Sequence, residues 1–267
     1  MSEEMSQEYK DATQSLLFQL ADDDFMFAYR GSEWLGLAPH IEEDVASSSI
    51  SQDSMGHAAM YYKLLEDFGV GNADLLAHLR PTSTRKNSVL TERANGKGTY
   101  METPQYDWAL QVVRSYFYIS AKKIKVDSLC ASSYVPLADI ALKVKMEIFY
   151  HLLHWEIWFK QLLSSTDVAK KKMMHAILQV SDDFSDFFSY GIDKEIIEKH
   201  HLIETEEILK ERWNKRLSPI FESLQIEKPN IPIIPKKNGR NGEHLKDLDE
   251  ALKTLSEVYS IDPAASW

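Results

Sequence analysis

The sequence predicts an all-α fold, a four-helix bundle followed by further helices, on three observations. Breakers are scarce: 10 Gly and 9 Pro leave room for long uninterrupted helices. Two stretches, 41–68 and 135–163, hold apolar residues at helical spacing over many turns. Each carries a carboxylate four residues before a His, Asp53 with His57 and Glu147 with His151, and each pair projects from one helix face. Bundles that hold two metal ions do so with carboxylates and histidines on facing helices.

The bulk numbers narrow the field. A hydrophobic content of 44% with 11% aromatic residues is that of a globular chain with a core and argues against disorder. A net charge of −11 opposes a nucleic-acid partner or an anionic membrane surface. The single Cys130 excludes an intrachain disulfide and is expected as a small buried side chain. No apolar run reaches the roughly 20 residues that span a bilayer. The acidic MSEEMSQEYKD start lacks the order of a signal peptide, so a soluble cytoplasmic protein is expected.

The first helix is expected over 7–34, with Leu16, Leu17, Leu20, Phe27 and Trp34 inward and Asp22, Asp23 and Asp24 as a solvated acidic face. Glu33 lies on its last turn, and Pro39 forces a break. The second helix, 41–68, has Val45, Ile50, Met55, Ala59, Tyr62 and Leu65 as its stripe. After a short helix at 73–79, the polar segment 80–104 reads as the long crossover that a ferritin-like bundle requires, and as a candidate docking segment. The third helix, 105–132, is interrupted by Lys122, Lys123 and Lys125, read either as a wet basic face or as a source of inward cations. Pro136 opens the fourth. Thr166 or Asp167 caps a fifth, and Lys170, Lys171 and Lys172 follow in its first turns. A helix at 204–224 precedes a proline-rich run, 226–242, in which Ile231, Ile233 and Ile234 are expected to pin the chain to the bundle. A last helix, 243–259, leads to Trp267, expected to pack on this chain or on a partner. The whole is assigned to a single domain, 1–267, with its core bundle at about 7–164 and the additional helices and proline-rich segment at about 166–267.

Counting ligands tests the metal. A di-iron bundle takes one carboxylate from each of two helices and a Glu-x-x-His from each of the others. Three residues before His57 and His151 stand Ser54 and Ile148, and the third helix offers Ser120 where a carboxylate is needed. Glu33, His57 and His151 remain, with Asp53 and Glu147 displaced by one position. This favours an ion-paired remnant over a mononuclear site, and both over a dinuclear centre. Lys122 and Lys125 are the candidates to replace the metal as cation.

The order and spacing of several segments resemble the C subunits of the bacterial multicomponent phenylacetyl-CoA epoxidases. These segments are 31–36 (GSEWLG) with Ala38 and Pro39, then Glu42, Asp44, Asp53 and His57, and 87–96 (NSVLTERANG). They continue through 114–118 (RSYFY), 147–151 (EIFYH), 239–245 (GRNGEHL) and Trp267. The resemblance implies a ferritin-like fold and a non-catalytic structural role, with no cofactor in this chain. It further implies a ferritin-like A subunit as partner, bearing the di-iron centre and the acyl-CoA site, and a reductase that acts indirectly. The complex would convert phenylacetyl-CoA to its ring epoxide with O2 and NADPH, and the isolated chain could pair with itself. His57 departs from the Gln of some members and keeps metal binding open. Two other functions remain: a self-sufficient di-iron oxygenase, and an acyl-CoA-binding protein using Lys170 to Lys172 or Lys236, Lys237 and Arg240.

Overall fold

In the computed structural model, which describes residues 5–265, the chain runs α1 (Gln7–Ser32), α2 (Ile41–Asp67), α3 (Ala73–His78), β1 (Gly96–Thr99), β2 (Glu102–Tyr106), α4 (Trp108–Leu129), α5 (Val135–Leu163), α6 (Asp167–Asp183), α7 (Lys194–Lys199), α8 (Glu206–Ser223), α9 (Lys246–Leu255) and α10 (Glu257–Ile261). The protein is all-α apart from the small β1–β2 hairpin. Among the described residues no helix is long and apolar enough to cross a membrane. Two compact units share the chain. One takes the residues up to Ala94, Tyr190–His200 and those from Lys237; the other takes Asn95–Ser189 and His201–Lys236.

In the first unit, the Ser6 side chain caps α1 by accepting from the Tyr9 amide. A short connection returns α2 antiparallel along α1. Tyr62 bonds to Asp22, and Gly31 lies so close to Ser51 that a Cβ at position 31 would overlap the Ser51 hydroxyl. That approach explains a correction to the α2 stripe. Ser47, Ser51 and Ser54 face inward with Ile50, Tyr62 and Leu65, while Val45 and Ala59 are exposed. Small side chains let the two backbones close up. The hydroxyls of Ser51 and Ser54 turn back onto the carbonyls of Ser47 and Ile50, at 2.8 and 2.9 Å.

The polar segment that follows is not an exposed docking loop. Two 3-10 turns, Thr82–Thr84 and Val89–Thr91, fold it down, and Arg85, Asn87, Ser88, Thr91 and Glu92 are buried. The hairpin tip stays outside, with Tyr100 and Met101 exposed. Because Glu102–Tyr106 pairs with Gly96–Thr99, α4 begins at Trp108, under an Asp107 cap, rather than at residue 105.

The second unit is built on α4 and α5, again antiparallel. Trp108 meets Trp158 edge-on at 5.8 Å, Tyr116 stacks on Phe159 at 4.4 Å, and Asp127 reaches Lys145 at 3.0 Å. Residues buried on α4 surround the whole helix, whereas α5 buries one stripe, Leu137, Ala141, Val144, Ile148, Leu152, Trp155 and Phe159. The turn after α6 and helix α8 supply an aromatic cover: Phe184 stacks on Trp213 at 4.3 Å, and both meet Phe117. Cys130 caps α4 half-buried, its thiol donating to the Val126 carbonyl. Of the three isoleucines expected to pin the proline-rich run only Ile231 is partly covered; Ile233 and Ile234 stand 95% and 83% exposed. Trp267 lies outside the described residues.

Candidate functional site

The six residues singled out from the sequence fall into two sets of three. In the first unit Glu33 caps the end of α1. Its carboxylate is held at 3.1 Å by Arg30, and the same guanidinium donates to the carbonyl of Glu92 at 2.6 and 2.9 Å. His57 is buried on α2, with Asp53 half-buried one turn before it. The α1–α2 register sets Gly31 against Ser51 and Asp22 against Tyr62, which places His57 across from Phe25–Phe27. Glu33 then lies about 10 Å further along the axis. The residues level with His57 are thus Phe25, Met26 and Phe27, with the buried Asp23 and Asp24 within one turn of them.

In the second unit Lys122 and Lys125 are buried, so the wet basic face is corrected: only Lys123 keeps partial exposure, paired with Asp127. Burial pushes the Asp127 carboxyl up, but hydrogen bonds from Lys123 and Lys145 outweigh it and leave the group below its usual range. The Lys125 ammonium stands 4.3 Å from the Phe187 ring centroid, a cation–π contact. Tyr116 against Phe159 and Asp127 against Lys145 fix the α4–α5 register, and it sets Lys122 level with His151, which is also buried. Glu147, one turn before His151, is exposed on the rim of the α5 stripe. Ser120 is occupied: it donates to the Phe117 carbonyl at 3.0 Å and accepts from the Trp213 indole at 2.9 Å.

These donors do not fit a dinuclear metal centre. In the second unit the level of His151 holds the buried Lys122, while Glu147 is exposed. Among the described residues no three His, Cys, Asp or Glu side chains are grouped to hold an ion.

The densest polar chemistry lies in a place sequence reading took for surface. Asp22, Asp23 and Asp24 are all buried. Asp22 accepts from Tyr62 at 2.5 Å, from Arg80, from Arg85 at 3.3 Å and from the Lys86 amide at 2.8 Å. Burial pushes its carboxyl up, yet the Arg80 and Arg85 guanidinium groups more than offset this and hold it below the ordinary value. Asp23 takes a two-pronged bond from Arg240, 2.8 Å on each arm, and one from the Ser88 amide at 2.7 Å. Buried Glu92 accepts from Asn87 at 3.0 Å and the Leu245 amide at 2.6 Å, and lies 2.6 Å from the His244 ring. The signal that could have found this cluster is three consecutive acids between Leu16–Ala21 and Phe25–Ala28, in a helix too apolar to be left wet on any side.

Of the anion-binding candidates this geometry withdraws Arg240. Arg240 is fully buried on Asp23, and Lys236 is paired with Asp182 at 2.7 Å; Lys170, Lys171 and Lys172 are exposed.

Comparison with known proteins gives a family and a relative. The family described as phenylacetic acid catabolic protein, a ferritin-like helical family, matches residues 1–267. The chain is also similar to the C subunit of the 1,2-phenylacetyl-CoA epoxidase of Escherichia coli (strain K12). They are 26% identical over 253 residues, which covers 93% of this chain and 96% of that protein.

Proposed function

The chain belongs to the phenylacetic acid catabolic protein family, and from that membership we propose that it is a structural subunit of a phenylacetyl-CoA epoxidase, working in aerobic phenylacetate degradation. The similarity to the C subunit of such an epoxidase supports the assignment to a complex of this kind. The observation that carries the non-catalytic role is Lys122, buried level with His151 while Glu147 points outward. A buried ammonium supplies at that level the positive charge that metal ions would otherwise bring, so the fold needs no metal to balance it. Iron would then reside in the partner, a ferritin-like catalytic subunit that also takes the acyl-CoA, with a reductase feeding that subunit. On this reading Glu33, Asp53, His57, Lys122, Glu147 and His151 are the remnant of a metal site within one ferritin-like domain, in a cytoplasmic protein.

Co-expression with a catalytic subunit of the same family, followed by size-exclusion chromatography and metal analysis of each chain, tests this reading. A stoichiometric complex with iron confined to the other chain is expected. Two irons in this chain, with an oxygen-dependent optical change, would replace it with a self-sufficient oxygenase. Tight calorimetric binding of phenylacetyl-CoA to this chain alone would favour an acyl-CoA-binding protein.

A further inference from the structure

We propose that the cavity beneath the proline-rich run is a binding site for a small aromatic monocarboxylic acid, with residues 227–236 as a strap across its mouth. Neither its chemistry nor its test depends on the role proposed above.

The strap cannot join a ladder. Pro229, Pro232 and Pro235 lack an N–H and hold the chain extended. Among the described residues no backbone-to-backbone hydrogen bond is made by 227–236. Side chains tie its ends instead. The Lys228 ammonium donates to Asn214 at 3.2 Å and to Ser218 at 3.1 Å, both on α8, and Lys236 pairs with Asp182 on α6 at 2.7 Å. Between those ties Ile231 and Pro232 lie over a cavity of about 200 Å³. A segment held by side chains at its ends lifts without breaking secondary structure, which gives a ligand a way in.

The floor is aromatic. Phe184 stacks on Trp213 at 4.3 Å, Phe188 stands edge-on to Phe184 at 5.8 Å, and all three are buried. Rings set at right angles offer both a face and an edge to a further ring. An apolar cavity of about 150 Å³ takes a benzene molecule, so this one has room for one six-membered ring with about two or three further atoms.

What those atoms are follows from the rim. No Asp or Glu lines the cavity, and its polar side chains are Ser185, Lys210 and Asn214. The Ser185 hydroxyl donates to the Asp182 carbonyl at 3.1 Å. Lys210 pairs with Glu206 at 3.1 Å, and an ammonium has further protons to donate. The Asn214 amide oxygen accepts from Lys228, which leaves its NH2 as a donor. A positive charge and an amide donor with no carboxylate opposing them suit a carboxylate on the ligand. A free acid gains that pairing; its ester, uncharged at the same atom, does not.

Isothermal titration of the full chain with benzoate tests the site. Saturable one-to-one binding at roughly 0.1 mM is expected for a ligand of this size. Hexanoate lacks the ring, methyl benzoate lacks the charge and benzylamine reverses its sign, so each should bind at least about tenfold more weakly. Lys210→Met should weaken benzoate by a similar factor. If loss of the Glu206 partner stops that variant from folding, Asn214→Asp carries the same test at an exposed position: the carboxylate it adds to the rim should weaken benzoate at least about tenfold. No saturable binding into the millimolar range, equal affinity for benzylamine, or an affinity that Asn214→Asp leaves unchanged would each overturn the proposal.

Discussion

Arg240 grips Asp23 across 217 positions of sequence, each nitrogen of the fork 2.8 Å from its own carboxylate oxygen, with both side chains buried. The same guanidinium donates to the Lys86 carbonyl at 2.6 Å, so the C-terminal segment, the connection after α3 and the middle of α1 meet at one group. Arg240→Ala would leave Asp23 charged and buried with one partner fewer. We expect a loss of about 3–5 kcal/mol in chemical denaturation, little recovered by Arg240→Lys, which cannot make the fork. Asp23→Asn with Arg240→Met should lose less than Arg240→Ala, because no charge is stranded.

Stability should depend on acid through Asp22. Its carboxyl lies below the ordinary value when folded, so it contributes stability that is complete above the unfolded value near 3.8 and is lost as pH falls through the folded value. The unaltered protein is expected to lose stability steeply below about pH 4. Asp22→Asn should be less stable at neutral pH and show a flatter profile in that range. Equal slopes for both proteins would contradict the assignment.

Gly31 is required by closeness rather than by backbone conformation. Gly31→Ala should destabilise by about 1–3 kcal/mol, because the new methyl overlaps the Ser51 hydroxyl. Adding Ser51→Ala removes that oxygen and should return most of the loss, which a double-mutant cycle in thermal melts would read as strong coupling. Additive effects would mean that α1 and α2 do not approach there.

Anaerobic loading with ferrous iron, followed by desalting, should leave the isolated chain with substoichiometric metal and an unchanged optical spectrum on admission of oxygen. Retention of two ions per chain would show that the buried Lys122 and outward Glu147 do not prevent a centre from forming.

Local periodicity made the long helices legible. The spacing of apolar residues placed α2 at 41–68 against an observed Ile41–Asp67, and α5 at 135–163 as observed. Pro136 in the first turn of α5 and Thr166 capping α6 were readable for the same reason: a helix start depends on a few neighbouring residues. The scarcity of carboxylates three residues before His57 and His151 was likewise written in one dimension.

What the sequence by itself determined is this set of helices and their all-α class, both of which follow from side-chain spacing along one chain. Tertiary structure alone decided which side of each helix is inside. Asp22 and Asp23 read as solvated until Arg80, Arg85 and Arg240, 58, 63 and 217 positions away, are brought to them. Val45 looked like core until the close approach at Gly31 selected Ser47 and Ser51 instead, and Lys122 could have faced water until α5 covered α4. The cost of burying a charge or the gain from burying a methyl is set by what stands opposite, and that is fixed only when distant segments meet.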